Sequence, residues 1–290
     1  MNISEGRRGE VLDALARAAG AVTLDVHADA DHHRAVFTLG GEADAVENAA
    51  RRLAREAVTR IDLREHTGAH PRLGVVDVVP FVALGTTPPA RAIDAALAYA
   101  RWSADELRVP AFLYGDADPR RRSLPDVRRD AFVRRAPDFG ADTPRVDAGA
   151  SAVGARPLLI AVNCELDRDD LALARAIARD VRERDGGLPG VRALGLALAS
   201  RGRAQVSMNL VALERTGVED ACVAVRHRAE QAGASVERVE LVGLLPASAL
   251  ERASREFLAW SGISRSSTIE ARLDDVAAAA SDGPAPADGA

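Results

Sequence analysis

Between His66 and Asp77 the chain reads His66-Thr67-Gly68-Ala69-His70-Pro71-Arg72-Leu73-Gly74-Val75-Val76-Asp77. Two histidines flanking a glycine, with a Pro-Arg pair after the second, could carry proton-transfer chemistry. The ordinary pKa of histidine, about 6.5, lies near neutral pH, so one ring can take a proton from one atom and return it to another. Pro71 restricts the backbone of His70 to extended conformations, and Gly68 permits an unusual turn ahead of it. Both suit a ring held in a fixed pose. His66 reads as a loop residue that hydrogen-bonds its surroundings. Arg72 offers a planar fork that matches a carboxylate, on a substrate or on a neighbouring side chain.

A second group, His27, Asp29, Asp31, His32, His33 and Arg34, is dense enough in ligand-type residues to raise the question of a metal. In a strand-turn-strand segment, however, alternate residues point to opposite faces, so only some of them can converge. This segment is better read as lining a site without metal, with His27 or Asp29 orienting His70 as a second group fixes the tautomer in other sites. Arg34 is a candidate substrate-side charge.

Composition removes several classes of function. The sequence contains no lysine, which excludes Schiff-base chemistry and a phosphate loop built on lysine. A net charge of −5 and an aromatic content of 3% argue against a nucleic-acid partner. The basic run Arg120 to Arg122 reads as a solvated loop. No signal peptide or long apolar run is present, so a cytoplasmic protein without a membrane partner is expected. Cys164 and Cys222 lie far apart and read as small core residues.

The elements that must position these residues can be read from hydrophobic spacing. Helices are expected over 8–19, 42–59, 167–184, 217–232 and 247–260. A further helix follows a cap at Thr86 or Thr87, with Pro88 and Pro89 in its first turn, and runs to about residue 107. Strands are expected at 22–26, 35–39, 75–84, 111–114, 158–162, 194–199, 205–213 and 236–242, and 63–74 is a loop. From 115 to 149 the chain is rich in Pro, Asp and Arg, with a short helix near 125–130. The second half therefore reads β-α-β-β-α-β, a ferredoxin-like unit. The first half reads the same way but lacks its opening strand, as if the true start lay upstream. The fold class is α+β, with two ferredoxin-like subdomains at 1–156 and 157–275 and a disordered tail at 276–290. The exposed sheet edges of such a fold are compatible with a homodimer.

Several stretches resemble the formiminotransferase family. They are the opening Asn2-Ile3-Ser4-Glu5-Gly6-Arg7, the segment from Leu24 to Arg34, and Ala204-Gln205-Val206-Ser207-Met208-Asn209-Leu210. The most specific is the run from His66 to Phe81, similar to a His-x-Gly-x-His-Pro-Arg-(Met/Leu)-Gly-x-x-Asp-Val-x-Pro-Phe pattern. Ala136-Pro137-Asp138-Phe139-Gly140 and Val153-Gly154-Ala155-Arg156-Pro157 extend the likeness along the chain. The sequence departs from the pattern at His33, where the family usually has Asn, and at His27, where animal members have Asp. No cyclodeaminase half follows.

The resemblance implies a transferase that moves a formimino group from N-formimino-L-glutamate to N5 of tetrahydrofolate, with no metal. It makes His70 the catalytic histidine, with His27 and Arg34 beside it. It places folate contacts at Gly140, Ala141, Asp142, Thr143, Pro144, Arg145, Val146, Asp147, Ala148 and Gly149, and at Gly190. The competing readings are a divergent paralogue that binds folate without transfer and, on the His/Asp cluster, a metal-dependent hydrolase.

Overall fold

A computed structural model describes residues 1–68 and 72–281. The first sheet starts from a strand of only two residues, β1 (Asn2–Ile3). After it come α1 (Gly9–Ala19), the hairpin β2 (Thr23–Asp29) and β3 (Arg34–Leu39), α2 (Ala43–Arg60) and β4 (Val76–Phe81). The spatial order β2-β3-β1-β4 is that of a ferredoxin-like unit. Helix α3 (Pro89–Glu106), β5 (Ala111–Gly115), α4 (Leu124–Asp130) and β6 (Ser151–Ala155) then extend the sheet in parallel beyond β4, in the order β4-β6-β5.

The first unit was expected to lack its opening strand, and Asn2–Ile3 holds that strand's central place for two residues. Asn2 pairs with Val36 of β3 and Val78 of β4, and Ile3 with Ala35 and Val76. Ile3 is fully buried, and the ladder is prolonged by Ser4 N–H to Val75 O (2.8 Å) and Phe37 N–H to Met1 O (2.8 Å).

The second sheet is built by β7 (Ile160–Leu166), α5 (Leu171–Val181), β8 (Val191–Leu198), β9 (Arg203–Leu210), α6 (Val218–Gln231) and β10 (Val236–Val242), in the order β10-β7-β9-β8. This is the ferredoxin-like order again, with the first strand central. Cys164 and Cys222 are free and buried in its core with Met208, Val225 and Leu166. The second sheet keeps α5 and α6 on one face, whereas the first carries α1, α2 and α3 on one face and α4 on the other. Phe37, Leu15, Leu53 and Val79 fill the first core. A smaller cluster of Val78, Phe112, Tyr114 and Val127 sits under α4.

Four local expectations are corrected. The helix before β5 starts at Pro89, with Pro88 rather than a threonine in the capping position; proline at the first helical residue needs no donor there. The helix expected over 247–260 is two, α7 (Ala247–Glu251) and α8 (Arg255–Ser261), because Ser254 accepts the Phe257 N–H and restarts the turn. Strand β6 was not expected at all. The tail expected to begin after Asp275 is instead helical, in α9 (Ile269–Ser281), which packs back on β2 of the first unit. Its alanines are strong helix formers, and Leu273 lies against Gly40. Residues 282–290 lie outside the described residues. Among those described, no helix is long and apolar enough to cross a membrane.

Candidate active site

The β2-β3 hairpin sends alternate residues to the face opposite α1 and α2. Its register sets Asp29 opposite Arg34, His27 opposite Val36 and Asp25 opposite Thr38, so these six share that face. The second sheet turns its own open face toward it. There the register aligns Arg192, Asn209 and Ala161 in one row, then Leu194, Ser207 and Asn163 in the next. Between the faces lies a cleft of about 590 Å³. Its lining includes His27, Asp29, His32 and Arg34 from the hairpin and Asn163, Arg192, Ser207 and Asn209 from the second unit. The volume is that of a small-molecule site.

At one end of this cleft the charges are organised by Asp77, an acid within the otherwise apolar strand β4. Its carboxylate is 1% exposed. It accepts the Leu73 N–H (2.7 Å), lies 3.5 Å from Arg34 Nη1, and accepts from Arg128 of α4. Burial pulls the Arg34 guanidinium down to about 10, against the pull of Asp77 and helped by Arg128 and Arg72. It still carries its charge at neutral pH. Burial lowers Arg72 in the same way. Three guanidiniums gathered around one carboxylate leave a local excess of positive charge, which suits an anionic ligand.

The loop that carries His70 arrives at this point. His70 itself, with Ala69 and Pro71, lies outside the described residues. Gly68 and Arg72, on either side, both meet the hairpin turn. A Cβ on Gly68 would come within 2.8 Å of the Arg72 side chain, His32 O and His33 Cβ, so glycine is required by close packing. The His66 ring stacks on His33 with centroids 3.9 Å apart and planes at 21°. His66 Nε2 donates to His33 O (3.0 Å), leaving Nδ1 to accept from Arg72. His33 has a left-handed backbone (φ 49°), and its ring bridges Thr67 O (2.7 Å) and Glu5 Oε1 (3.2 Å).

Glu5 anchors this arrangement from the first turn of the chain. It is 1% exposed and accepts the N–H groups of Gly6, Arg7 and Arg8 and the Arg8 guanidinium. Burial alone would raise its pKa. The donors from Arg7 and Arg8 outweigh burial and hold it at about 2.

The other expected residues are placed as follows. His27 faces Glu240 of the second unit, with Nε2 3.8 Å from Oε1, and Glu240 also accepts from Asn163 (3.0 Å) and Arg238 (3.2 Å). Asp29 accepts the His32 N–H (2.7 Å) and lies 3.6 Å from Arg201. Asp31 accepts the Ser200 N–H (2.9 Å) and hydroxyl (2.6 Å). The His/Asp cluster therefore disperses, and much of it ties the hairpin to the second unit.

The segment Gly140 to Gly149 does not line the cleft. Ala141 to Pro144 are exposed, and Gly140 packs on Pro110 and Ala104. Arg145 binds Asp147 and Leu107 O (both 2.7 Å). Asp147 O and Ala148 O then accept from Leu63 (2.7 Å) and Val75 (2.8 Å), at the two roots of the loop that carries His70. Gly190, with φ 72°, opens β8 two residues before Arg192 and packs on Ala212. Glu5, Asp77, Arg128, Asn163, Arg192 and Glu240 were not singled out from sequence. Glu5 and Asp77 lie inside the quoted motifs, where a buried acid among apolar residues is itself a signal.

Two ferredoxin-like units enclosing a cleft of this size define a small-molecule site, and the comparisons specify it. Residues 1–156 match the formiminotransferase domain, N-terminal subdomain, and residues 161–271 match the formiminotransferase domain. The chain belongs to the formiminotransferase family. It is 36% identical over 264 residues to a glutamate formimidoyltransferase of Streptococcus pyogenes serotype M1, covering 86% of this chain and 88% of that protein. It is 33% identical over 295 residues to one of Thermoplasma acidophilum, covering 95% and 96%. A formimidoyltransferase-cyclodeaminase of Mus musculus is 36% identical over 270 residues, but that match covers only 50% of its length.

Proposed function

We propose that this protein transfers the formimino group of N-formimino-L-glutamate to N5 of tetrahydrofolate, giving 5-formimino-tetrahydrofolate and glutamate. The observation that carries the reading is the gathering of Arg34, Arg72 and Arg128 around Asp77, at the mouth of the loop that holds His70. The donor is a dicarboxylate, and that corner is where an anion gains most. The names of the two full-length relatives agree with it.

In this reading N5 attacks the formimino carbon and a tetrahedral intermediate forms. His70 takes the proton that N5 loses and gives it to the glutamate nitrogen as the carbon–nitrogen bond to glutamate breaks. Arg34 and Arg72 hold the donor carboxylates, and Glu5, through His33 and His66, fixes the wall against which the loop rests. His27 acts through Glu240 and positions the second unit. The folate lies in the cleft, while the segment from Gly140 to Gly149 braces the loop roots.

The test is turnover of N-formimino-L-glutamate with tetrahydrofolate, read as methenyl-folate absorbance after conversion of the product. His70→Ala should lose at least about a hundredfold in kcat, the usual worth of general acid–base catalysis, while folate binding persists. Equal turnover in the variant would end the mechanism. Folate binding by the wild type without any turnover would favour a divergent folate-binding paralogue.

A further inference from the structure

His33 stands where the hairpin turn meets the loop that carries His70, and both of its ring nitrogens face oxygens. Nδ1 lies 2.7 Å from Thr67 O, and Nε2 lies 3.2 Å from Glu5 Oε1. Thr67 O is a carbonyl and can only accept. Glu5 can only accept as well. It takes the N–H groups of Gly6, Arg7 and Arg8 and the Arg8 Nε–H. Against the effect of burial, those donors hold it at about 2, so it stays a carboxylate.

A neutral imidazole has one N–H and one lone pair. It can donate to one of these oxygens and must turn its lone pair on the other. Only the ring that carries both protons donates to both. The ring is also fixed in place. Its side chain is 13% exposed and its face stacks on His66 at 3.9 Å. His66 Nε2 donates back to His33 O (3.0 Å). Two contacts, one in each direction, therefore join the hairpin turn to the root of the loop.

The charged surroundings single out Glu5 as the partner that matters. Arg7 and Arg8 sit beside it, and Arg7 Nε donates to Ala30 O of the turn (2.9 Å). The loop brings His66 and Arg72, and the hairpin itself brings Asp29, His32 and Arg34. Strand β4 brings Asp77, with Arg128 bound to it. Asp29 lies against Arg201, and Asp77 against Arg34 and Arg128. Among the described residues, the carboxylate in contact with the His33 ring is that of Glu5.

We infer that His33 is a positioning residue that ties the loop carrying His70 to Glu5 only while its ring holds two protons, so that the placement of this loop follows pH across the range in which histidine titrates. Whichever nitrogen gives up its proton, its lone pair is left facing an oxygen, and one end of the tie opens. The tie stands on these contacts alone; its consequence for turnover rests on the proposed transfer reaction.

The experiment compares the wild type with His33→Asn. Asparagine tolerates the left-handed backbone found here (φ 49°), so the variant should fold. Its amide donates without titrating. The first readout is hydrogen exchange at His66 and Leu73, whose amides donate to Leu63 O (3.3 Å) and to Asp77 (2.7 Å), corrected for the intrinsic effect of pH. From about pH 5 to 8, wild-type protection should fall about tenfold, as for loss of one charge-assisted hydrogen bond. In His33→Asn it should stay within about twofold. Nitrogen NMR of the histidine rings, assigned by the signals missing from His33→Asn, should show the ring passing from two protons to one at the pH where protection falls. A His33 ring that keeps a single proton over the whole range, or protection that falls equally in both proteins, would overturn the inference. Neither readout needs turnover, so both stand if the transfer reading fails. Where turnover is measured, the ratio of kcat/KM between wild type and His33→Asn should fall about tenfold over the same range. Titration of His70 is common to both proteins and cancels in that ratio. A constant ratio beside the expected exchange result would refute the positioning role.

Discussion

The two ferredoxin-like units differ most at the strand that should be their centre. In the second, β7 is seven residues long and is paired along its length on both sides. In the first, β1 is two residues long, and the sheet around it is held by the flanking ladders, the helices and Glu5. The groups able to do chemistry collect on the first unit, at its hairpin tip and the loop before β4. The second unit contributes a four-stranded sheet face.

This contrast can be broken most directly at two fully buried isoleucines, Ile3 of β1 and Ile160 of β7. Each change to alanine should cost about 2–5 kcal/mol, and their local effects should differ. Ile3→Ala should release amide protons across the β1 ladders, at Ser4 and Phe37. Ile160→Ala should leave the β7 ladders protected, since the rest of that strand remains paired. Hydrogen exchange resolved by residue checks this, and equal loss of protection in the two sheets would refute the contrast.

The buried carboxylates Glu5 and Glu165 sharpen it next, because their signs are opposite. Glu5 is held at about 2 from an ordinary 4.5. Its stabilisation is fully present above pH 4.5 and is lost as pH falls toward 2. By linkage this is on the order of 3 kcal/mol, so Glu5→Gln should lower stability at neutral pH and flatten the acid limb. Burial raises Glu165, against the pull of Arg201 and Arg238. A raised carboxyl favours the folded state below its unfolded pKa and loses that advantage as pH rises through the folded value. Glu165→Gln should therefore improve relative to wild type with rising pH. Urea midpoints from pH 3 to 8 separate the two, and parallel curves would count against the assignment.

The smallest effect is expected at the hairpin contact. Asp31→Asn removes charge from the exposed pair with Ser200 and should cost under about 1 kcal/mol in stability. Its mark should be on the KM of the substrate that spans both units. A thermal midpoint that falls as far as that of Ile3→Ala would show the two units to be less independent than their separate cores suggest.

Much of this architecture was legible in the sequence because helices and strands with strong apolar spacing announce themselves. Strand β10 was read at the limits observed, Val236–Val242, since Val236, Val239 and Val242 favour strands. Strand β6 was not legible. Its residues Ser151, Ala152, Val153, Gly154 and Ala155 are mostly small, with weak strand preference. They are small because the strand lies between β4 and β5, where a Cβ on Gly154 would meet Tyr114 at 2.5–2.7 Å. Helix α9 was masked by the polar, alanine-rich stretch that resembles a tail. At the site, the His/Arg loop was legible from residue types at close spacing. The partners from the second unit were not, because Asn163, Arg192 and Glu240 reach the cleft only through strand registers between segments distant in sequence.

The connection between the units spans only residues 156–159, between β6 and β7. That brevity has a consequence for how the cleft is held shut. So short a tether confers an effective concentration of millimolar order or higher on the facing surfaces. Contacts too weak to join separate proteins, such as Asp31 with Ser200 and Asp29 with Arg201, then form as a matter of course. The two faces behave as a complex whose partners were never given the chance to dilute away.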